Sequence, residues 1–324
     1  MKHTVKVSLL LVLICGTCSC EAQPQRELFN VFLGTDHHSP VLLETNAIDT
    51  HTVNYHFDEM VFCSTEDFSC EGSTQEIIAV HPYEDTVTIT FRRPLVPGKR
   101  ISVSGTVADR MGNTLSFTRG VWGCNPELPE IRINEFSTKG SASNPDRIEL
   151  IALSDGNLAG LTCYIGMPQN FDTEFVFPAI DVQDGDFVVL TYAQEPSGEC
   201  LYDLYAGEVG IGANNGVISL CDRPEGTIID AVLYSNRTSE SDENYDGFGT
   251  RKVQRWAQLL EASGQWLPLP TTPESAVEST SHTATRTFCR MNESADTDSK
   301  SDWHIVPTRN DSFGEANSEE IYVP

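Results

Sequence analysis

One stretch of the 324-residue sequence has residue types and spacing that suit a calcium ion. Asp242, Asn244 and Asp246 alternate along residues 242–247, which read DENYDG. Alternate side-chain oxygens of this kind converge on one hard cation, and the final glycine permits the tight turn. The twelfth position of such a loop carries a bidentate glutamate, but here it is Val253. The stretch therefore fits either a calcium site or a solvated acidic loop before a helix, and the sequence predicts no other cofactor.

Catalytic patterns find little support in the sequence. No serine or cysteine lies in a G-x-S-x-G context, and no histidine belongs to an H-E-x-x-H frame. Beyond residue 130 the only histidines are His282 and His304. Glu135 and Glu149 resemble a carboxylate pair, but we interpret them as structural acceptors for backbone groups or for Arg286. We therefore predict no catalytic residues and a non-enzymatic protein.

Acidic residues dominate the charge. The formal net charge is −26, and removal of residues 1–19, which carry two lysines and no acids, takes it to −28. Nucleic acid would be repelled, because phosphate neutralisation requires clustered Lys and Arg. The charge fits simple solubility or attraction to cations and basic partners. A second acidic set, Asp296, Asp298 and Asp302, fits a hydrogen-bonded turn.

The N-terminus has the pattern of an export signal. Two lysines precede an apolar run, residues 7–14, that is too short to anchor in a bilayer by itself. The run ends in CGTCSC, which places a cysteine where bacterial lipoproteins carry their acylated first residue. We predict a signal peptide over residues 1–19, lipidation at Cys20 or alternatively at Cys18, and a polar tether over residues 20–30. An ordinary secretory signal cleaved near Ala22 is the other interpretation.

Seven cysteines lie beyond residue 20, and an exported compartment permits disulfides. Cys63 with Cys70 and Cys200 with Cys221 are the possible pairs. Core thiols are the alternative, since Cys163 and Cys221 lie within apolar strand-like runs. The odd number leaves at least one cysteine outside any internal pair.

The elements that position these residues are predicted to be strands. In the first half, residues 52–61, 85–91 and 100–107 alternate apolar and polar side chains between turn residues. The run ITFRRPLVPGKRISVSGTVADRMGNTL resembles the second half of a bacterial Ig-like domain of the surface-layer type. The resemblance implies a β-sandwich over residues 31–124 that acts as a spacer or adhesive module, followed by a Pro-bearing linker over residues 125–130.

The second half is organised around residues 131–150, where two alternating runs flank a Gly/Ser/Asn/Pro loop. The segments Ile133-Asn134-Glu135 and Asp146-Arg147-Ile148-Glu149-Leu150 resemble the opening of the lamin tail domain, an Ig-like β-sandwich. Later segments resemble that family in the same order: residues 158–161, 177–178, 186–190, 216–222, 226–234, 281–286, 296–303 and 314–317. The resemblance implies one domain over residues 131–317, two layers of antiparallel strands, and a tail over residues 318–324.

An insertion over residues 235–281 interrupts this pattern. Within it, Val253, Trp256, Ala257 and Leu260 recur at helical spacing, so residues 251–262 predict one amphipathic helix that ends near Gly264. The predicted fold class is therefore all-β, with two tandem Ig-like β-sandwich domains and a short inserted helix in the second.

These features together predict a membrane-anchored exported lipoprotein of the bacterial cell envelope, on its periplasmic or surface side. It would bind an unknown protein or extracellular ligand and would not bind nucleic acid. The alternatives are an accessory or regulatory subunit of an exported hydrolase or nuclease, and a calcium-dependent adhesin.

Overall fold

The computed structural model describes residues 36–71, 74–198, 200–236, 244–292 and 296–324. The predicted signal peptide, the tether, Cys18, Cys20 and Asp242 lie outside these ranges. Within them the chain is mostly β, as predicted, with several sheets and one α-helix. No helix in these ranges is long and apolar enough to cross a membrane.

The described part of the first half contains seven strands in two antiparallel sheets. The strands are β1 (Leu42–Ala47), β2 (Thr52–Phe57), β3 (Phe68–Glu71), β4 (Ile77–Tyr83), β5 (Thr86–Phe91), β6 (Arg100–Ala108) and β7 (Thr114–Trp122). One sheet has the order β1-β2-β5-β4 and the other β3-β6-β7. The alternating runs around residues 52, 86 and 100 are therefore strands, as the sequence predicts.

Aromatic side chains join these two sheets into one hydrophobic core. The ring of Phe117 on β7 lies 5.6 Å from that of Tyr55 and 6.0 Å from that of Phe57, both on β2. Phe68 on β3 completes the cluster at 6.1 Å from Phe117. A Cβ at Gly105 would collide with the Phe68 ring, so only glycine fits beneath it. The two sheets thus face each other across these rings.

The second half, within the described ranges, contains thirteen strands and the helix. The strands are β8 (Ile131–Ser137), β9 (Asp146–Ala152), β10 (Gly156–Asn157), β11 (Thr162–Met167), β12 (Asn170–Val176), β13 (Asp181–Val182), β14 (Phe187–Tyr192), β15 (Tyr202–Gly207), β16 (Gly216–Cys221), β17 (Ile228–Ser235), β18 (Val277–Glu278), β19 (Phe288–Arg290) and β20 (Trp303–Ile305). The helix α1 spans Arg251–Ser263.

Two larger sheets enclose the second hydrophobic core. Their orders are β15-β14-β9-β8-β19-β20 and β12-β11-β16-β17-β18, and β10 pairs with β13 in a small third sheet. Two edge strands depart from the expected antiparallel pattern, since β15 runs parallel to β14 and β18 parallel to β17. The connection from β17 to β18 contains the helix α1, whereas β14 and β15 are joined by residues 193–201 alone.

The helix covers the outer face of the five-stranded sheet and confirms the predicted apolar stripe. Val253, Trp256, Ala257 and Leu260 are its buried residues. The Thr250 hydroxyl accepts a hydrogen bond from the Val253 N–H at the first turn, and Gly264 ends the helix with φ 74°. Because α1 packs on one face and the core on the other, every residue of β11 and β16 is buried.

Neither of the two possible disulfide pairs is bonded in this structure. Cys63, Cys70 and Cys221 are free thiols, and the Cys200 thiol donates to the Phe313 carbonyl oxygen at 3.5 Å. Phe62 bridges Ala108 and Cys70 pairs with Val103, so the two ends of that loop lie five residues apart along β6. This is roughly 16 Å, whereas disulfide-bonded Cα atoms lie within about 7 Å. The alternative prediction of core thiols suits Cys221, which is fully buried in β16.

The predicted linker is packed against the second half. The Asn125 amide donates to the carbonyl oxygens of Asn157 and Ala159, at 2.6 and 2.9 Å. Nearby, Gly98 and Gly160 approach so closely that a Cβ on Gly160 would lie 2.7 Å from the Gly98 nitrogen. These contacts, which we call the junction, hold the two halves together.

Candidate functional site

The described part of the predicted calcium loop contacts the helix. Asn244 precedes a single 3-10 turn over Tyr245–Gly247, and its carbonyl oxygen accepts from the N–H groups of Gly247 and Gly249. The Asp246 carboxylate accepts a hydrogen bond from the Gln254 amide at 2.5 Å. Thr250, not an acidic residue of the loop, caps the helix. Because Asp242 lies outside the described residues, calcium binding here stays a prediction.

A different set of carboxylates comes together in the first half. Ligand atoms of Asp36, Glu59 and Asp109 all lie within 4.8 Å of one another. Burial and the neighbouring carboxylates raise the pKa of Glu59, whereas hydrogen bonds from His38 lower the pKa of Asp36. Both Asp109 oxygens already accept hydrogen bonds within the turn over residues 109–113. Asp109 therefore stabilises a turn, and the cluster by itself does not establish a metal site.

A buried ion pair ties the two sheets of the second half together. The Arg290 Nη2 on β19 lies 3.0 and 2.8 Å from the two carboxylate oxygens of Asp230 on β17. Both side chains also bond the backbone of Ile133. Arg290 Nε donates to its carbonyl oxygen at 2.7 Å, and the Asp230 carboxylate accepts from its N–H at 2.6 Å. Burial raises the pKa of Asp230, and the Arg290 guanidinium opposes that rise. The pair is structural.

Asn134 and Glu135 hold the C-terminal segment, as the predicted structural role requires. The β8–β9 pairing has a bulge between Ile133 and Glu135, where the Asn134 side chain bonds that of Asn317 at 2.9 Å. The Glu135 carboxylate accepts from the hydroxyls of Thr287 and Ser312, at 2.5 and 2.7 Å. Burial raises the pKa of Glu135, and the hydroxyl bonds oppose that rise.

Glu149, on the neighbouring strand β9, also bonds the C-terminal segment. Its carboxylate accepts from the Gly314 N–H and from the Asn134 amide, the latter at 2.7 Å. Burial raises its pKa to about 8 against the effect of both bonds. Arg286, the predicted alternative partner of these carboxylates, instead stacks on the Tyr322 ring at 4.2 Å. Both glutamates serve the fold.

The two histidines of the second half bond backbone groups. His282 Nε2 accepts from the Thr138 N–H at 3.0 Å, and its Nδ1 donates to the Arg286 carbonyl oxygen. Burial lowers the pKa of His282 to about 4, so the ring is neutral. His304 Nε2 lies 2.8 Å from the Ser318 carbonyl oxygen and donates to it, which leaves Nδ1 as an acceptor.

The acidic turn near the C-terminus is hydrogen-bonded, as predicted. The Asp302 carboxylate accepts from the Thr297 N–H and hydroxyl at 2.9 and 2.5 Å. Asp296 lies 2.9 Å from Arg290 Nη1, which extends the buried ion pair to the surface. Burial and its acidic neighbours raise the pKa of Asp298.

A concave surface lies apart from the buried ion pair and from the bonds of Glu135 and Glu149. It is a cleft of about 450 Å³ where the edge strands β18 and β20 of the two sheets meet. Apolar side chains form much of its wall: Val277, Met291, Trp303, Ile305 and Ile321. Glu278, Ser281, Lys300 and His304 supply polar groups, so the cleft has one acidic and one basic side chain in its lining. We call this surface the seam cleft, and its size and mixed lining are typical of a ligand site.

Sequence reasoning cannot find the seam cleft and gives little sign of the buried ion pair. The cleft combines β18, β20 and the segment after Glu320, each only a few residues long and without a periodic pattern. Arg290 and Asp230 are isolated charges in apolar runs. Their position in apolar strands is the one signal that the sequence carries, because a charge there must be paired.

Comparison with known proteins locates a family match in the second half. A family model named TP_1001_2nd, described as "protein second domain", matches residues 129–204 and 203–305. The match starts just before β8 and ends with β20. No curated protein matches the chain.

Two solved structures share a distant likeness with the chain. They are described as "Crystal structure of the N-terminal part of the bacterial S-layer protein SbsC" and "Structure of surface layer protein SbsC, domains 1-6". The first is 14% identical over 61% of this chain and 43% of that chain, with a TM-score of 0.27. The second is 12% identical over 61% and 40%, with a TM-score of 0.26. The chain thus spans less than half the length of either.

Proposed function

We propose that this chain, which belongs to the TP_1001_2nd family by the match over residues 129–305, is an exported, lipid-anchored binding protein of the bacterial cell envelope. The anchor is the acylated Cys20 that the N-terminal sequence predicts. Two or three acyl chains hold a protein firmly, because each buried methylene contributes about 0.8 kcal/mol. The folded part then stands off the membrane on the tether.

The folded part is proposed to be two tandem Ig-like sandwiches, the first of the surface-layer type and the second of the lamin tail type. Supporting this, each half has two main sheets around its own hydrophobic core, and the second half adds the small β10–β13 pair. The bulged Ile133-Asn134-Glu135 segment also has a structural explanation, since its residues bond the buried side chains of Asp230, Asn317 and Thr287 in turn. The junction makes the pair a rigid spacer.

One observation carries the proposal of binding without turnover. Among the described residues of the second half, Glu135, Glu149 and His282 are buried and bonded to groups that hold the fold. A catalytic acid or base would need to reach a substrate in a cleft. The seam cleft instead offers apolar walls and strand edges, which suit recognition. The hydrolase-accessory and adhesin alternatives gain no comparable support.

The anchoring part of the proposal is tested by fractionation of bacterial cells that express the full chain. Wild type should partition into the membrane and the detergent phase, because acylation replaces the soluble N-terminus with lipid. Cys20→Ala should move the protein to the soluble exported fraction. Cys18→Ala is the matched control and should leave the protein anchored.

Wild-type protein in the soluble fraction would contradict the anchor, and so would membrane retention of both cysteine variants. The binding part is tested separately with purified protein and generic phosphoester and peptide substrates. We expect no turnover of either. Turnover that survives purification and is lost on His304→Ala would show an enzyme instead.

A further inference from the structure

The outer face of the β3-β6-β7 sheet carries hydroxyl groups where charged side chains are usual. Val103 and Phe117 on the inner face pack in the first hydrophobic core, so the residues that alternate with them face outward. At positions 102–106 and 114–120 every outward residue is a serine, a threonine or a glycine. Solvent-facing sheet surfaces commonly carry charges, which keep them soluble and protect their edges. Solubility alone therefore does not account for this composition.

A shallow depression lies on this face. Its volume is about 390 Å³, which is within the range of small-ligand sites. Strands β6 and β7 form the floor, and the 3-10 turn Thr65–Asp67 with the start of β3 forms one side. The polar side chains that line it are those of Asp67, Ser69, Ser104, Thr106, Ser116 and Thr118. We call this surface the hydroxyl depression.

The hydroxyls of the floor are bonded in pairs that keep capacity for a ligand. Ser104 and Thr118 lie 2.8 Å apart across the two strands, and Thr106 and Ser116 lie 2.9 Å apart. A hydroxyl has one donor and two acceptor positions, so each pair keeps one O–H donor and several acceptor lone pairs. Ser69 on β3 stands opposite Ser104 and extends that row across the third strand.

One acid and one base stand at opposite ends of the rows. Asp67 is the one charged residue that lines the depression. Its Oδ2 accepts from the Ser64 N–H and hydroxyl, at 2.7 and 2.8 Å, which leaves Oδ1 to accept from a ligand. Arg100 lies beyond Thr118, against Gly120, where a Cβ would be 2.0 Å from its Nε. The two charges oppose each other, so the lining favours a neutral ligand.

The same composition argues against macromolecular partners of other kinds. Protein interfaces are depleted of serine and enriched in aromatic residues, which is the reverse of this lining. Nucleic acid requires clustered Lys and Arg, and it is repelled by a chain with a net charge of −26. A neutral polyol fits, because each of its hydroxyls donates and accepts as the lining hydroxyls do.

We propose that the hydroxyl depression binds a neutral, extended oligosaccharide. Its hydroxyls bond the two serine–threonine pairs of the floor and the Oδ1 of Asp67, and the straight rows suit a straight β-1,4-linked chain. The inference rests on the proposed binding function and names a ligand class for the first half. It depends neither on the lipid anchor nor on the seam cleft.

The test is calorimetry of the purified protein with cellotetraose, a neutral β-1,4-linked tetrasaccharide. We expect saturable binding with a Kd of about 0.1–1 mM, since a shallow polar site supplies little apolar burial. The matched probe is per-O-methylated cellotetraose, which keeps the linkage and has no O–H donor. It should not bind, because the lining acceptors then receive no hydrogen bond.

Variants on β7 place the binding in the depression. Thr118→Val keeps the side-chain shape and removes one hydroxyl, and Ser116→Ala removes the other that β7 supplies. Together they should weaken cellotetraose about tenfold, since each hydrogen bond is worth about 0.5–1.5 kcal/mol. Thr114→Val is the matched control, because Thr114 lies on the same face and strand but outside the depression. It should bind as wild type does.

All three positions are exposed, so the variants should fold, and Thr118→Val alone serves if the double variant does not. The proposal is overturned if cellotetraose does not bind at about 10 mM. It is also overturned if the methylated probe binds equally, or if the β7 variants bind like Thr114→Val. Membrane fractionation reports on the anchor separately, so an anchored protein without saccharide binding would refute this inference and not the proposed anchor.

Discussion

At the scale of single residues, the buried ion pair of the second half gives the most specific prediction about stability. Arg290 and Asp230 have side chains that are 4 and 1% exposed. Removal of Asp230 leaves Arg290 Nη2 and the Ile133 N–H without their partner in the interior, and loss of one partner of a buried pair costs about 3–5 kcal/mol. We therefore expect Asp230→Ala to lower the free energy of unfolding by about that amount in urea denaturation.

A matched control exists on the surface of the first half. Arg92 and Glu76 form a similar two-bond pair, at 2.6 and 2.9 Å, but their side chains are 59 and 61% exposed. Exposed pairs contribute at most about 1 kcal/mol. Equal losses for Glu76→Ala and Asp230→Ala would contradict the assignment of the buried pair as a structural tie.

His282 should make stability depend on pH. Its pKa is about 4 in the folded chain, against an ordinary value of 6.5, so between pH 6.5 and about 4 the unfolded chain gains the proton and the folded chain does not. Stability from this residue is full above pH 6.5 and is lost as the pH falls through 4, by up to about 3 kcal/mol. Denaturant titrations at pH 4, 5.5 and 7 measure this loss.

The comparison for this prediction is His282→Gln, which does not titrate. Glu149, whose raised pKa makes stability fall as the pH rises from 4.5 through about 8, acts in the opposite direction. It does so in both proteins, so the difference between wild type and His282→Gln isolates the histidine. A constant difference from pH 4 to 7 would show that the ring is not held neutral.

Residue roles are only partly predictable from the sequence. Glu135 and Glu149 can be assigned to structure because they lie in alternating strands beside a loop. Their partners cannot, since Ser312 and Gly314 come from a segment more than 160 positions away in the sequence. Arg290 is likewise separated from its partners, by 60 positions from Asp230 and 157 from Ile133, so the sequence does not reveal its role and offers Arg286 as one possible partner of the glutamates.

At the scale of elements, α1 is stabilised by its apolar stripe. Trp256 is 2% exposed, packs on the five-stranded sheet, and donates from Nε1 to the Asn170 side chain at 2.7 Å. We expect Trp256→Ala to cost about 3–5 kcal/mol, measured by thermal and urea unfolding. Gln258→Ala on the exposed face of α1 is the control and should change stability by less than about 0.5 kcal/mol. A small loss for Trp256→Ala would mean that the helix is peripheral.

Some elements can be predicted from their sequences, and others cannot. β2, β5 and β6 alternate because one face meets the core and the other meets solvent. β11 is buried on both faces because α1 covers it, so its sequence TCYIGM has no period that predicts a strand. The short edge strands β18 and β20 are set by tertiary pairing alone, which is why the sequence does not reveal the seam cleft.

At the scale of the whole molecule, the junction decides whether the chain is a rigid rod or two loosely linked halves. Gly160 has φ 84° and faces Gly98, so that a Cβ at position 160 would lie 2.7 Å from the Gly98 nitrogen. The Arg223 guanidinium adds a bond to the Asn46 side chain across the same contact, at 2.5 Å. A side chain at position 160 must therefore push the halves apart or tilt them.

We expect Gly160→Ala to increase the maximum dimension of the protein in small-angle X-ray scattering. Its left-handed φ adds a backbone cost of about 1–2 kcal/mol, which alone would not change the shape. Gly185→Ala separates the two effects, because Gly185 also has a positive φ, 88°, but nothing lies within 4 Å of its Cβ position. Gly185→Ala should lose similar stability and keep the wild-type scattering curve. If both variants scatter like wild type, the close contact between Gly98 and Gly160 does not fix the arrangement of the two halves. That result would contradict the proposal of a rigid spacer.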